Sequence, residues 1–120
     1  MSVTINNAMR YIAYICPFCF EINRKNINTF EVSSDNPFFI LCSSDECNEE
    51  CGAILNTKDG FKIDFECPIC GENHIFRISS SGFLFKNLLT LTCPEANIDI
   101  FLIGEKEKVE EAVLEKFINS

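Results

Sequence analysis

Short apolar runs broken by polar turns fill most of the chain, and they read as strands. Residues 9–15, Met-Arg-Tyr-Ile-Ala-Tyr-Ile, form a β-branched and aromatic run that predicts the first strand. A second is expected from Phe20 to about Val32, interrupted over residues 24–28. Ser33-Ser34-Asp35-Asn36-Pro37 predicts a turn, because Asp, Asn and Ser side chains bond their own backbone and Pro fixes φ. Residues 38–41 return as a strand. Residues 43–50 carry Asp45, Glu46, Glu49 and Glu50 with no base, which predicts a solvated loop. The runs 53–56 and 61–65 flank Lys58-Asp59-Gly60, and Asp-Gly between apolar runs signals a hairpin. Residues 79–82 are expected as a loop, and residues 88–91 and 98–103 as two more strands, the last ended by Gly104. Beyond it the period changes. Val109, Ala112, Val113 and Phe117 fall at i, i+3, i+4 and i+8 among Glu and Lys, so residues 105–118 predict an amphipathic helix packed on the second half of the chain. Residues 1–8 are polar and unpatterned and predict a frayed end.

Eight cysteines are superimposed on this pattern at regular intervals. Cys16-Pro17-Phe18-Cys19 and Cys67-Pro68-Ile69-Cys70 stand fifty-one residues apart, and each pair is followed by a further cysteine, Cys42 or Cys93, at the same distance. Glu21 and Glu72 match as well. Metal ligands must be fixed in space, so a preserved interval between them points to two copies of one metal-holding unit. Disulfides fit less well, because two cysteines in one tight turn are poorly placed to pair one by one with distant partners. A redox C-x-x-C needs a helix starting at the motif, whereas strand-like residues follow Cys19 and Cys70.

The fourth ligand of each unit is open to more than one assignment. In the first unit, Cys51-Gly52 looks like the end of a second knuckle, with Gly52 admitting a left-handed turn, which makes Cys51 the ligand and Cys47 a spare. In the second unit Ala96 stands where a closing cysteine is expected, and His74, the only histidine, is four residues past Cys70 and within reach as a nitrogen ligand. His74 is otherwise a surface residue. A third arrangement gives Cys47 to the first ion and Cys51 to the second, making two four-thiolate sites. The ligand set adopted here is Cys16, Cys19, Cys42 and Cys51 with Cys67, Cys70, Cys93 and His74.

These Cys-Pro-x-Cys knuckles resemble the zinc-ribbon superfamily over nearly the whole chain. The resemblance implies a small, metal-stapled, mainly-β fold: two tandem zinc ribbons of antiparallel strands, residues 9–57 and 60–118, the second ending in the amphipathic helix. It implies one or two Zn²⁺ ions. Ribbons serve in transcription, in ribosomes and as protein-binding modules, so the resemblance carries fold and metal and not role.

Composition narrows the role by exclusion. Units of about fifty residues bury too little apolar surface to be secure without a staple. The net charge is −8, from eighteen acids against ten bases, and thiolates bound to zinc add to it, so a phosphate backbone is repelled overall. A nucleic-acid role would need Arg24, Lys25, Arg77 and Lys86, with neighbouring Phe residues, to gather on one face. No apolar run reaches the ~18 residues of a spanning helix. Arg10 and the apolar run 11–20 faintly resemble a secretory signal, but the run contains the first cysteine pair and no cleavage site follows, so a cytoplasmic location is expected. No nucleophile–base pair or Gly-rich phosphate loop is legible. An enzyme would need an open zinc on Cys67, Cys70 and Cys93 with Glu95 or His74 as base, yet catalytic zinc usually takes His and carboxylate ligands. The reading that remains is a non-enzymatic zinc protein that contacts another protein as an adaptor.

Overall fold

In a computed structural model of the chain, which describes residues 9–118, eight strands build two antiparallel four-stranded sheets. The strands are β1 (Met9–Ile15), β2 (Ile22–Asn28), β3 (Phe38–Leu41), β4 (Glu50–Thr57), β5 (Gly60–Glu66), β6 (Asn73–Ile78), β7 (Leu88–Cys93) and β8 (Ile98–Gly104). One sheet runs β2-β1-β8-β7 and the other β3-β4-β5-β6. The expected frayed end at residues 1–8 lies outside the described residues.

Alternation along the strands decides which face is buried. Ile12, Tyr14, Phe101 and Ile103 of the first sheet meet Ile40, Ile54, Ile63 and Phe65 of the second in one core. The Tyr14 ring stacks on Phe101 at 5.4 Å and meets Phe65 edge-on at 6.0 Å, so aromatic contacts join the sheets at its centre. On the outer face of the first sheet, Tyr11, Ala13 and Leu102 are covered by α2 (Lys106–Ala112) and its π-helical continuation (Val113–Ile118), through Val109, Ala112 and Val113. Arg24 on β2 pins this helix by an ion pair to Glu110 at 3.0 Å.

Three local expectations change. β2 continues through residues 24–28 without interruption, because Ile27 is buried in the core while Lys25 and Asn26 make the ladder opposite Ile12 and Tyr11. Residues 79–82 start a short helix, α1 (Ser80–Phe85): the Ser79 hydroxyl caps the N–H of Gly82, and Phe83 is driven inward onto Phe61, with ring centroids 4.0 Å apart. The helix at the C-terminal end does not pack on one repeat. It lies on β1 and β8, one strand from each half.

The sheets are not the repeats. Each sheet takes two strands from residues 9–57 and two from residues 60–104. Exchanging β1 with β5, β2 with β6, β3 with β7 and β4 with β8 converts the strand order of one sheet into that of the other. The halves are thus interleaved about an internal pseudo-twofold, and finer features obey it. Phe20 (φ 66°) and Gly71 (φ 81°) hold the same left-handed position fifty-one residues apart, and Asn48 (φ 50°) and Asn97 (φ 58°), forty-nine apart because the second half is two residues shorter after Cys93, form a second left-handed pair. Ladder shifts skip Cys51 in β4, between Gly52 and Glu50, and Ile100 in β8, between Phe101 and Asp99. These two bulge residues are counterparts, and both are buried.

Candidate metal centres

Each knuckle is a turn closed by its own backbone. The Cys16 carbonyl accepts from Phe20 N–H and the Cys67 carbonyl from Gly71 N–H, while Cys16 and Cys67 N–H groups donate to the carbonyls of Glu21 and Glu72. This geometry aims further N–H groups at sulfur: Phe18 N lies 3.3 Å from Cys16 Sγ and Ile69 N lies 3.3 Å from Cys67 Sγ. Such donors favour the thiolate, which is the form that binds metal.

Two clusters that could hold a metal ion result: Cys16, Cys19, Cys42 and Cys47, and Cys67, Cys70, His74 and Cys93, with the donor atoms of each within 4.8 Å of one another. A tetrahedral ion with metal–sulfur bonds of about 2.3 Å spaces its sulfurs about 3.8 Å apart. In the first cluster Cys16 Sγ is 3.7 Å from Cys47 Sγ and Cys19 Sγ is 3.5 Å from Cys42 Sγ. In the second, Cys70 Sγ is 3.4 Å from His74 Nε2. Both donor sets therefore fit one four-coordinate ion. All eight cysteines are free thiols.

Each cluster joins the two sheets. The first takes Cys16 and Cys19 from the β1–β2 turn of one sheet, and Cys42 and Cys47 from the β3–β4 connection of the other. The second takes Cys67, Cys70 and His74 from β5, β6 and their turn, and Cys93 from the end of β7.

Thiol ionisation in these clusters is uneven. Burial works against the Cys16 thiolate, but the N–H groups of Cys19 and Phe18 and the thiol of Cys47 outweigh it, and Cys16 comes down to about 7. Cys93 also comes down to about 7, against burial, through the N–H of Ala96, the His74 ring and the N–H of Glu95. Their neighbours move the other way. For Cys19 the N–H of Glu21 favours the thiolate, but burial and the adjoining thiols of Cys42 and Cys16 prevail and push it up to about 12. Cys47 and Cys70 are raised in the same manner. A lowered thiol beside raised ones is what crowding of like charges produces, and a cation among the sulfurs would offset that repulsion.

Cys47 stands in the first cluster where Cys51 was expected. Cys51 Sγ lies 4.0 Å from Cys16 Sγ but does not join the four-donor group. Its thiol is pushed up by burial first and then by the charge of Cys16. The pseudo-twofold supplies the reason: Cys51 fills the buried bulge position that Ile100 fills in the other half. The left-handed residue that ends the knuckle is Asn48, directly after Cys47. Gly52 serves a different need, since a Cβ there would lie 1.9 Å from the Asp64 carbonyl oxygen. By the same alignment Ala96, which precedes Asn97, is the counterpart of Cys47. Glu95 does not join the second cluster.

Asn23 was not singled out from the sequence. It is buried, its Nδ2 donates to the Glu21 carbonyl at 3.2 Å and points at Cys42 Sγ at 3.8 Å, and its Oδ1 accepts from Ser43 N–H at 2.8 Å. It ties the knuckle of one sheet to that of the other beside the first cluster. The signal was available in the spacing, because Asn23 precedes His74 by the repeat interval.

Comparison with known proteins gives no assignment: no family model matches the chain, and no curated protein or solved structure matches it.

Proposed function

We propose that the protein binds two structural Zn²⁺ ions and acts as a non-enzymatic protein-interaction adaptor in the cytoplasm. The observation that carries the metal reading is the pair of four-donor clusters at tetrahedral spacing, each bridging the two sheets. Thiolate-rich donor sets favour zinc over hard cations. Four protein ligands leave the ion no place for a reactive water, which supports a structural ion over a catalytic one. Free thiols in this number suit a reducing compartment.

The adaptor role is supported by apolar side chains left at the surface. Phe39, Phe20 and Ile75 are each more than half exposed. The net charge of −8 and the pairing of Arg24 with Glu110 weigh against the nucleic-acid alternative. Elemental analysis of the purified protein tests the metal reading, with close to two zinc ions per chain expected and less than half an ion overturning it. Chemical cross-linking in the native host, read by mass spectrometry, tests the adaptor role. A salt-sensitive gel shift would favour nucleic acid instead.

A further inference from the structure

The pseudo-twofold breaks down at one end of the β1–β8 ladder. Gly104 opposite Tyr11 in one sheet corresponds to Leu55 opposite Lys62 in the other. Beyond that pair the β4–β5 ladder adds Asn56 to Phe61 and Thr57 to Gly60, whereas the β1–β8 ladder stops. The chain instead turns off at Glu105 into the helix of residues 106–118, and a cavity of about 390 Å³ opens at this step. Met9, Arg10, Tyr11 and Asn26 line it from β1 and β2, and Glu105 and Lys106 line it from the start of the helix. Its volume is that of a small-molecule site.

Arg10 sets the chemistry of this cavity. It is only 5% exposed. Its Nη2 donates to the Lys86 carbonyl, while its buried Nε has no hydrogen-bond partner. A buried charged donor left unpaired loses its hydration without compensation, so an acceptor is missing here. The fold itself does not call for a cation at this position. The counterpart of Arg10 in the other half is Phe61, which is buried and stacks on Phe83. The other charged groups lining the cavity are Lys106, whose Nζ lies 5.8 Å from the centre of the Tyr11 ring, and Glu105. Glu105 makes no ion pair with Arg10 or Lys106, and it acts on Arg10 only through space, against the larger effect of burial. Two bases and one acid leave the lining with a single net positive charge, which a monoanion balances.

We propose that this cavity binds a small organic monocarboxylate. The carboxylate accepts from the Arg10 guanidinium, with Lys106 and the Asn26 amide as further donors, and the apolar body of the ligand lies against Met9 and Tyr11. A planar carboxylate matches the donor edge of a guanidinium, and its single charge matches the lining better than a phosphate dianion does. The cavity shares no residue with either cysteine cluster, and the inference does not depend on the adaptor reading.

The probe is benzoate, titrated at constant pH and ionic strength into the zinc-loaded, ¹⁵N-labelled full chain. Saturable shifts are expected on the Arg10 Nε–H resonance and on the amides of Tyr11, Asn26, Glu105 and Lys106. Benzamide, the neutral analogue, should leave them in place. Arg10→Met should weaken binding by about tenfold or more, as loss of a charge-assisted hydrogen bond does. Glu105→Gln should tighten binding by removing the one opposing charge, and Lys106→Gln should weaken it. Both positions are exposed, so this pair decides the matter if circular dichroism or zinc content shows that Arg10→Met misfolds. No saturable shift, an equal response to benzamide, or folded variants that all bind benzoate as wild type does would overturn the proposal. Inorganic phosphate that moves the same resonances at lower concentration than benzoate would overturn the carboxylate class.

Discussion

Asn23 and His74 occupy the same position in the two halves of the chain, and each reaches toward a sulfur of its own cluster, Asn23 to Cys42 and His74 to Cys70. The difference between them is matched elsewhere. Where the first half has Asn23 it has Cys47, and where the second has His74 it has Ala96. One half closes its donor set from the β3–β4 connection, and the other from β6. The half that lacks the cysteine thus has an imidazole, at a position whose counterpart in the other half also reaches a cluster sulfur.

This exchange can be tested by reversing it. His74→Asn should reduce zinc from about two ions per chain to about one, because the second cluster keeps only three donors. Adding Ala96→Cys to that variant should restore the second ion by rebuilding the donor set of the first half. Zinc measured by a chromophoric chelator after thiol modification reads both steps. If Ala96→Cys leaves the second site empty, the two connections are not equivalent.

The two candidate cysteines of the first half should behave oppositely. Cys47→Ser should release the first ion and lower stability by several kcal/mol, since structural zinc contributes on the order of 10 kcal/mol. Cys51→Val should keep both ions, because the position is a core bulge that Ile100 fills in the other half. Its cost should stay near about 1 kcal/mol, as for a near-isosteric core exchange. Zinc lost from Cys51→Val and kept in Cys47→Ser would reassign the ligand.

The helix contact has a defined pH signature. The Glu110 carboxyl is held below its ordinary range, first by the Tyr11 hydroxyl that donates to it, against the opposing effect of burial, and then by Arg24 and Lys106. A carboxyl with a depressed folded-state pKa stabilises the fold above its unfolded value of about 4.3, and that stability fades as pH falls through the folded value. The contact is partly exposed and screened, so it is worth less than about 1 kcal/mol. The difference in melting temperature between wild type and Glu110→Gln should stay constant from about pH 8 to about pH 5, and shrink only below about pH 4.3. Comparing the two proteins cancels the metal, which both lose alike. A difference that disappears already between about pH 7 and about pH 5 would mean that another group governs the contact.

Most strands, the Lys58-Asp59-Gly60 hairpin and the amphipathic stripe of Val109, Ala112 and Val113 were legible in the sequence, because they are local properties of spacing and turn chemistry. The two knuckles were legible as well, since Cys-Pro-x-Cys is itself a local geometry. What escaped was set by pairing across the chain. Cys51 looked like a ligand because Gly52 follows it, but Gly52 answers to the backbone of Asp64 on the next strand, and no local pattern shows that. The joining of β1 to β8 is likewise a choice among strands of similar character. Tandem spacing predicts two units side by side, and only the ladder shows them interleaved.

That interleaving yields the last prediction. Each sheet needs strands from both halves, so neither half alone can cover Phe65, Phe101 and Tyr14, which are fully buried in the intact core. Each half nevertheless carries a complete donor set and should still bind zinc. Chains cut between Lys58 and Asp59 and purified apart should therefore hold metal without forming a folded monomer, and should expose apolar surface to a dye such as ANS. Mixing the zinc-loaded halves should restore one species with a 1:1 ratio, the cooperative unfolding of the intact chain and no dye binding, much as the parts of a swapped dimer reassemble. Sedimentation velocity and thermal melts read the outcome. A first half that is monomeric, unfolds cooperatively and gains nothing from its partner would show that residues 9–57 are a self-sufficient unit and that the shared sheets are not what stabilises it.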